Sequence, residues 1–173
     1  MNRRNWLLAA LAAPLIARQA AARANDLPVP LVEGLRLWGQ GEFRRFGFLI
    51  YTATLWAGDD PQHPPLALRL DYKRRIAGKD IAAASIKEMS RFIDDRSQLD
   101  AWTPQLERVF PDVRDGDHLI GLWQPEGASF YQDWRPIGRI DDPLFARSFF
   151  AIWLDENTSA PNLRAALLKA PAG

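Results

Sequence analysis

Residues 35–58 read LRLWGQGEFRRFGFLIYTATLWAG. Gly39-Gln40-Gly41 predicts a break between a short strand before it and a long strand after it. At the two-residue period of a strand, Phe46, Phe48, Ile50, Thr52, Thr54 and Trp56 share one face. Phe43, Arg45, Gly47, Leu49, Tyr51, Ala53 and Leu55 share the other. Both faces are apolar enough to need cover, so packing is expected on each side of a central hairpin.

Outward from this hairpin, Gly58–Pro65 (GDDPQHPP) predicts a loop, because its prolines and aspartates support neither a ladder nor a helix. Leu66, Leu68, Leu70 and Tyr72 then alternate with polar or small residues, as in a half-buried strand. Helical spacing follows from Gly78 to about Phe92, and again from Leu99 to Phe110, where Pro111 stops it. His118–Gln124 and Ser129–Trp134 flank Pro125-Glu126-Gly127-Ala128 and predict a hairpin. Asp142-Pro143 is a helix cap followed by proline at the first helical position, and Leu144, Phe145, Phe149, Ile152 and Trp153 form the apolar stripe behind it. Ala160-Pro161 opens a last short helix. The class is α+β: one antiparallel sheet of about six strands with helices packed on one face.

The N-terminus reads differently. Arg3-Arg4, the apolar run Trp6–Ala17 and the small-x-small site Ala22-Arg23-Ala24 predict a signal peptide over 1–24, cleaved near Ala24. The arginine pair before Trp6-Leu7 fits a twin-arginine route, and an ordinary secretory route fits as well. The expected localisation is periplasmic or secreted, with a single domain over 25–173 and membrane contact only during export. The chain has no cysteine, which excludes disulfides, thiol catalysis and cysteine-based metal sites. A net charge of +1 supplies no basic field for nucleic acid.

Few residues carry chemistry on their own. His63 and His118 lie in no ligand-like spacing, so no metal site is expected. Gly39-Gln40-Gly41 precedes a strand and not a helix, so it does not cradle phosphate. Asp59-Asp60, Asp94-Asp95 and Asp141-Asp142 sit in turns or at helix starts, where aspartate caps backbone amides. Arg44-Arg45 and Lys73-Arg74-Arg75 are either an anion-binding edge or solvated strand ends. Tyr51 and Tyr72 are either core residues or the lining of a cleft.

The glycine-x-glycine pattern, the Arg44-Arg45 pair and the run ending Tyr51-x-Ala53-x-Leu55-Trp56 resemble the opening hairpin of the chalcone isomerase-like family. Leu66–Met89 (LALRLDYKRRIAGKDIAAASIKEM) resembles its strand, short loop and long helix. Asp117–Leu168 resembles its hairpin with Gly138, its helix ending Ile152-Trp153-Leu154, and a closing Ala160-Pro161-Asn162-Leu163-Arg164. The resemblance implies a cleft between sheet and helices. In catalytic members, an arginine, a lysine, a threonine and a tyrosine position a flavonoid phenolate there for ring closure, with no cofactor. Laid on that pattern, the arginine falls at Phe43 with Arg44 adjacent, and the threonine at or near Tyr51. The lysine falls near Tyr72, the helix tyrosine at Ile81, the asparagine at Glu88, and the C-terminal hydroxyl at Ile152.

Phenylalanine and isoleucine supply neither the hydrogen bonds nor the charge that stabilise an oxyanion. The expectation is therefore a non-catalytic member binding a fatty acid or other small hydrophobic carboxylate, without metal or cofactor. Its expected lining is Phe43, Arg44, Tyr51, Tyr72, Ile81 and Ile152, with Arg44 at the mouth. Two rivals stand beside it: an intramolecular lyase with rearranged residues, and a structural or interaction protein with a closed core.

Overall fold

The chain reverses at Phe46-Gly47 and not at Gly39-Gln40-Gly41. In the computed structural model, which describes residues 33–169, β1 (Arg36–Arg45) runs through both glycines and β2 (Phe48–Ala57) returns. Arg45 pairs with Phe48, leaving a two-residue loop with φ of 51° at Phe46 and 81° at Gly47. Positive φ at both central positions matches the twist of the flanking strands. Gly47 adopts it freely, whereas Phe46 does so at a cost of roughly 1–2 kcal/mol. The expected signal segment lies outside the described residues.

After the hairpin come β3 (Leu66–Tyr72), α1 (Gly78–Met89) and α2 (Arg96–Val109). Then follow β4 (His118–Gln124), β5 (Gly127–Gln132), β6 (Arg135–Ile140), α3 (Pro143–Leu154) and α4 (Pro161–Leu167). The strands form one antiparallel sheet in sequence order, β1 to β6. Asp142 caps α3, its Oδ1 accepting from the amides of Leu144 at 2.9 Å and Phe145 at 3.1 Å. Asp95 caps α2 through Ser97. Both aspartates act as caps, in keeping with their positions in the sequence.

One sheet face carries Ala53, Leu55, Leu68, Leu70 and Phe130, and helix residues such as Trp102, Leu106, Phe145, Phe150 and Leu167 bury against it. Phe145 and Phe150 are fully buried, each contributing about 1.5–3 kcal/mol by leaving water. Phe149 stands among Phe110, Phe130, Phe145, Phe150 and Trp153, with ring centroids 5.2–6.1 Å away. The other face holds a smaller cluster of Trp56, Ala67, Ile120 and Leu122, to which no helix contributes among the described residues. Helices therefore cover one face, not both.

The two glycines of β1 mark where α4 lies on the sheet. A Cβ on Gly41 would stand 2.8 Å from Ala166 Cβ and Leu163 Cδ1, and one on Gly39 would collide with the carbonyl oxygens of Ala166 and Leu167. What reads as a break in sequence is a bare strip of strand that admits a helix backbone.

Candidate functional site: a cavity between sheet and helices

Two tyrosines and a phenylalanine align across the first three strands. Phe43 pairs with Tyr51 and Tyr51 with Tyr72 in the ladder, so all three project toward the helices. Phe43 stacks on Tyr51 at 5.0 Å, and Tyr51 meets Tyr72 edge-on at 5.8 Å. Beneath α1 and α3 these rings border a cavity of about 310 Å³. Its depth is apolar, with Leu68, Phe130, Phe149 and Phe150 buried in the wall. Its open side is marked by the lining residues that remain exposed, Arg45, Asp80, Ala84 and Ser159.

Of the residues expected to line such a cleft, Phe43, Tyr51, Tyr72, Ile81 and Ile152 do so. Arg44 does not, and its expected place at the mouth is corrected. Neighbours along a strand point to opposite faces, so Phe43 and Arg45 face the cavity while Arg44 faces away. There its guanidinium donates to Glu42 at 2.8 and 3.0 Å. Arg45 takes the mouth, and among the described residues it has no ion-pair partner.

The wall is also less uniformly apolar than the substitutions at Phe43, Ile81 and Ile152 imply. Asp80, Ser85, Glu88 and Ser159 line it as well. Ile81, Ala84, Ser85 and Glu88 recur at helical spacing, so their shared face was available from sequence once Ile81 was placed there. The Ser85 hydroxyl is occupied, donating to the Ile81 carbonyl at 2.9 Å. Glu88 Oε2 is buried without a hydrogen-bond partner among the described residues, and Arg91 Nε stands 3.9 Å from it.

The Tyr51 hydroxyl accepts a hydrogen bond from Trp153 Nε1 at 3.1 Å. Burial pushes the Tyr51 phenol far above its ordinary value; the Trp153 bond partly offsets this, and the charge of Glu88 adds to it. Tyr72 is raised in the same direction, first by burial and then by Tyr51. Both are neutral at physiological pH and act as hydrogen-bond donors or apolar surface, not as bases.

Residues 32–169 match the sequence profile described as chalcone isomerase-like. The chain belongs to the chalcone isomerase-like family. Every position onto which the family's polar groups map by sequence (Phe43, Tyr51, Tyr72, Ile81, Glu88 and Ile152) lines the one cavity. An uncharacterised protein of Haemophilus influenzae is 26% identical over 133 residues, covering 75% of this chain and 66% of that protein's own length. Among solved structures, a fatty-acid binding protein of Arabidopsis thaliana superposes with a TM-score of 0.62. It is 15% identical, with 82% of this chain and 90% of that one covered, so the likeness is one of fold.

Proposed function

We propose that this chalcone isomerase-like chain is a non-catalytic binder of a fatty acid or similar small hydrophobic carboxylate. The observation that carries the reading is an apolar cavity of about 310 Å³ whose exposed rim holds an unpaired Arg45. That volume is near the lower end of the roughly 300–1,000 Å³ usual for ligand sites, which suits one slender chain better than a fused ring system. The alkyl tail packs among Leu68, Phe149, Phe150 and Ile152. The carboxylate stays at the rim, drawn by the Arg45 guanidinium and kept from the depth by Glu88, whose buried Oε2 accepts no hydrogen bond among the described residues and has Arg91 only at 3.9 Å. Burying about ten methylenes at ~0.8 kcal/mol each gives ~8 kcal/mol before association costs, which bounds affinity on the order of micromolar. The fold likeness to a fatty-acid binding protein of Arabidopsis supports the ligand class.

The test is a titration with fatty acids of graded chain length, followed by tryptophan fluorescence, since Trp153 lines the cavity. A saturable change that strengthens with chain length and then levels off is expected. No response up to the solubility limit removes the reading.

A second reading, an intramolecular lyase with rearranged residues, is favoured by one observation: Glu88 and Arg45 put opposite charges in the same lining. Absorbance assays on a chalcone test it, and turnover lost in Glu88→Gln would establish it. We further propose export, with residues 1–24 as the signal peptide; a mature N-terminus at Asn25, found by N-terminal sequencing, is the expected result.

A further inference from the structure

We propose that the tip of the β1–β2 hairpin docks on an anionic phospholipid bilayer, presenting the cavity mouth to the lipid surface. Phe46 is 87% exposed and Phe48 57%, side by side at the turn. Phe46 holds a left-handed backbone, which a large side chain adopts only under local strain. A folding requirement would place asparagine or glycine there. A strained, solvated phenylalanine is instead what an interface-inserting residue looks like before it meets its partner.

The charges fit one kind of partner. The Arg45 guanidinium lies 5.4 Å from the Phe46 ring centroid, and that of Arg74 lies 4.5 Å from Phe48. Lys73 and Arg75 flank Arg74, and all are exposed. Among the described residues none of these four cations has an ion-pair partner. Of the acids at this end, Glu42 pairs with Arg44 and Asp117 with Arg114 at 3.7 Å, while Asp133 lies 3.1 Å from His118, an imidazole that burial keeps from charging. Asp115, and Asp80 on the cavity rim with Arg45, oppose the cations without an ion pair among the described residues. Rings that enter the interfacial layer while guanidinium and ammonium groups meet lipid phosphates match this arrangement. Each basic side chain near such a surface adds about fivefold to partitioning.

The same end of the sheet carries a second strained aromatic, though this one packs on His118 at 4.7 Å and lies 5.4 Å from the Arg69 guanidinium. Trp134, in the β5–β6 turn, is 37% exposed with φ of 70°. Among the described residues no helix is long and apolar enough to cross a membrane. Arg45 belongs to both the tip and the cavity lining, so docking brings the mouth against lipid. The docking itself stands without any ligand in the cavity.

The full chain has no cysteine, so Phe46→Cys carries a single environment-sensitive fluorophore at the tip. Glu126→Cys, in the β4–β5 turn at the opposite end of the sheet, is the control. Vesicles of phosphatidylcholine with phosphatidylglycerol are expected to brighten the tip label several-fold, and vesicles of phosphatidylcholine alone are not. In the tip-labelled chain, Phe48→Ser or the pair Arg74→Glu and Arg75→Glu is expected to weaken partitioning about tenfold or more, as does raised salt. Fatty-acid affinity of the Arg74/Arg75 variant stays unchanged, so a failure of the ligand reading is seen separately. An unresponsive tip label overturns the proposal, as does an equal response at position 126. A response to protein concentration without vesicles would show a second copy on the patch, and also overturns it.

Discussion

The indole Nε1 of Trp153 donates to the phenolic oxygen of Tyr51 across 3.1 Å, joining α3 to β2 at the cavity wall. The two residues are far apart in the chain, and their bond holds the helix layer at a set height above the sheet. Tyr51→Phe deletes the acceptor and strands a buried N–H, which costs about 1–3 kcal/mol. Thermal unfolding should register that as a drop of very roughly 2–10 °C for a domain of this size. Trp153→Phe strands the buried Tyr51 hydroxyl in turn and leaves a void where the indole stood, so it should cost at least as much.

Arg45 and Arg44 are neighbours with opposite assignments. Arg45→Ala should weaken fatty-acid binding by about fivefold, the worth of ~1 kcal/mol at an exposed rim, and leave affinity for the matching fatty alcohol unchanged. Arg44→Ala, which loses only an exposed pair with Glu42, should change neither. Paired fluorescence titrations of acid and alcohol check both.

Ala84 is exposed and lines the mouth, so a larger side chain there plugs the cavity without entering the core. Ala84→Trp should reduce fatty-acid binding at least about tenfold while leaving the unfolding midpoint within about 2 °C, as expected of a surface substitution. A plugged variant that still binds with full affinity would move the ligand elsewhere.

His118 sets a pH dependence on the other face of the sheet. Burial lowers its imidazole from the ordinary value near 6.5, as does Arg69, against the pull of Asp133, Asp71 and Asp117. Its Nε2 is buried without a hydrogen-bond partner among the described residues. As pH falls below about 6.5 the unfolded chain takes up this proton first, so stability present above that value declines through the window just beneath it. Unfolding midpoints measured at about pH 7.5 and about pH 5.5, on either side of the ordinary imidazole range, should differ more in the native chain than in His118→Gln.

Gly39→Ala tests the seat of α4. Its new Cβ meets backbone oxygens of Ala166 and Leu167, which cannot swing aside as a side chain does. Overpacking of this kind costs about 1–3 kcal/mol, and the lowered midpoint in thermal unfolding is its measure.

Patterns of local period were readable without coordinates. The alternation of Leu66–Tyr72, the stripe of α3 and the cap at Asp142 gave their elements, because each is a property of a few consecutive residues. β6 was harder to locate, since Pro136 and Gly138 erase the alternation that a strand normally displays. The turn was misplaced because glycines signal flexibility and tight approach with the same letter. Gly39 and Gly41 answer to α4, some hundred and more residues later in the chain, while the reversal is made by Phe46-Gly47.

Phe43, Tyr51, Tyr72, Ile81 and Ile152 were expected in the cavity wall from the resemblance to the family's pattern, and strand parity and helical spacing are the physical reason they meet there. The arginine at the rim was legible by the same parity, since Arg45 shares a strand face with Phe43. Arg44 was expected there only because it adjoins the position onto which the family's arginine maps, and it turns away to Glu42. Side-chain type and period are inherited from the chain itself. Where the hairpin closes, which aromatic is left strained in solvent, and which helix lies on the bare glycine strip are decided by pairing and packing between distant segments.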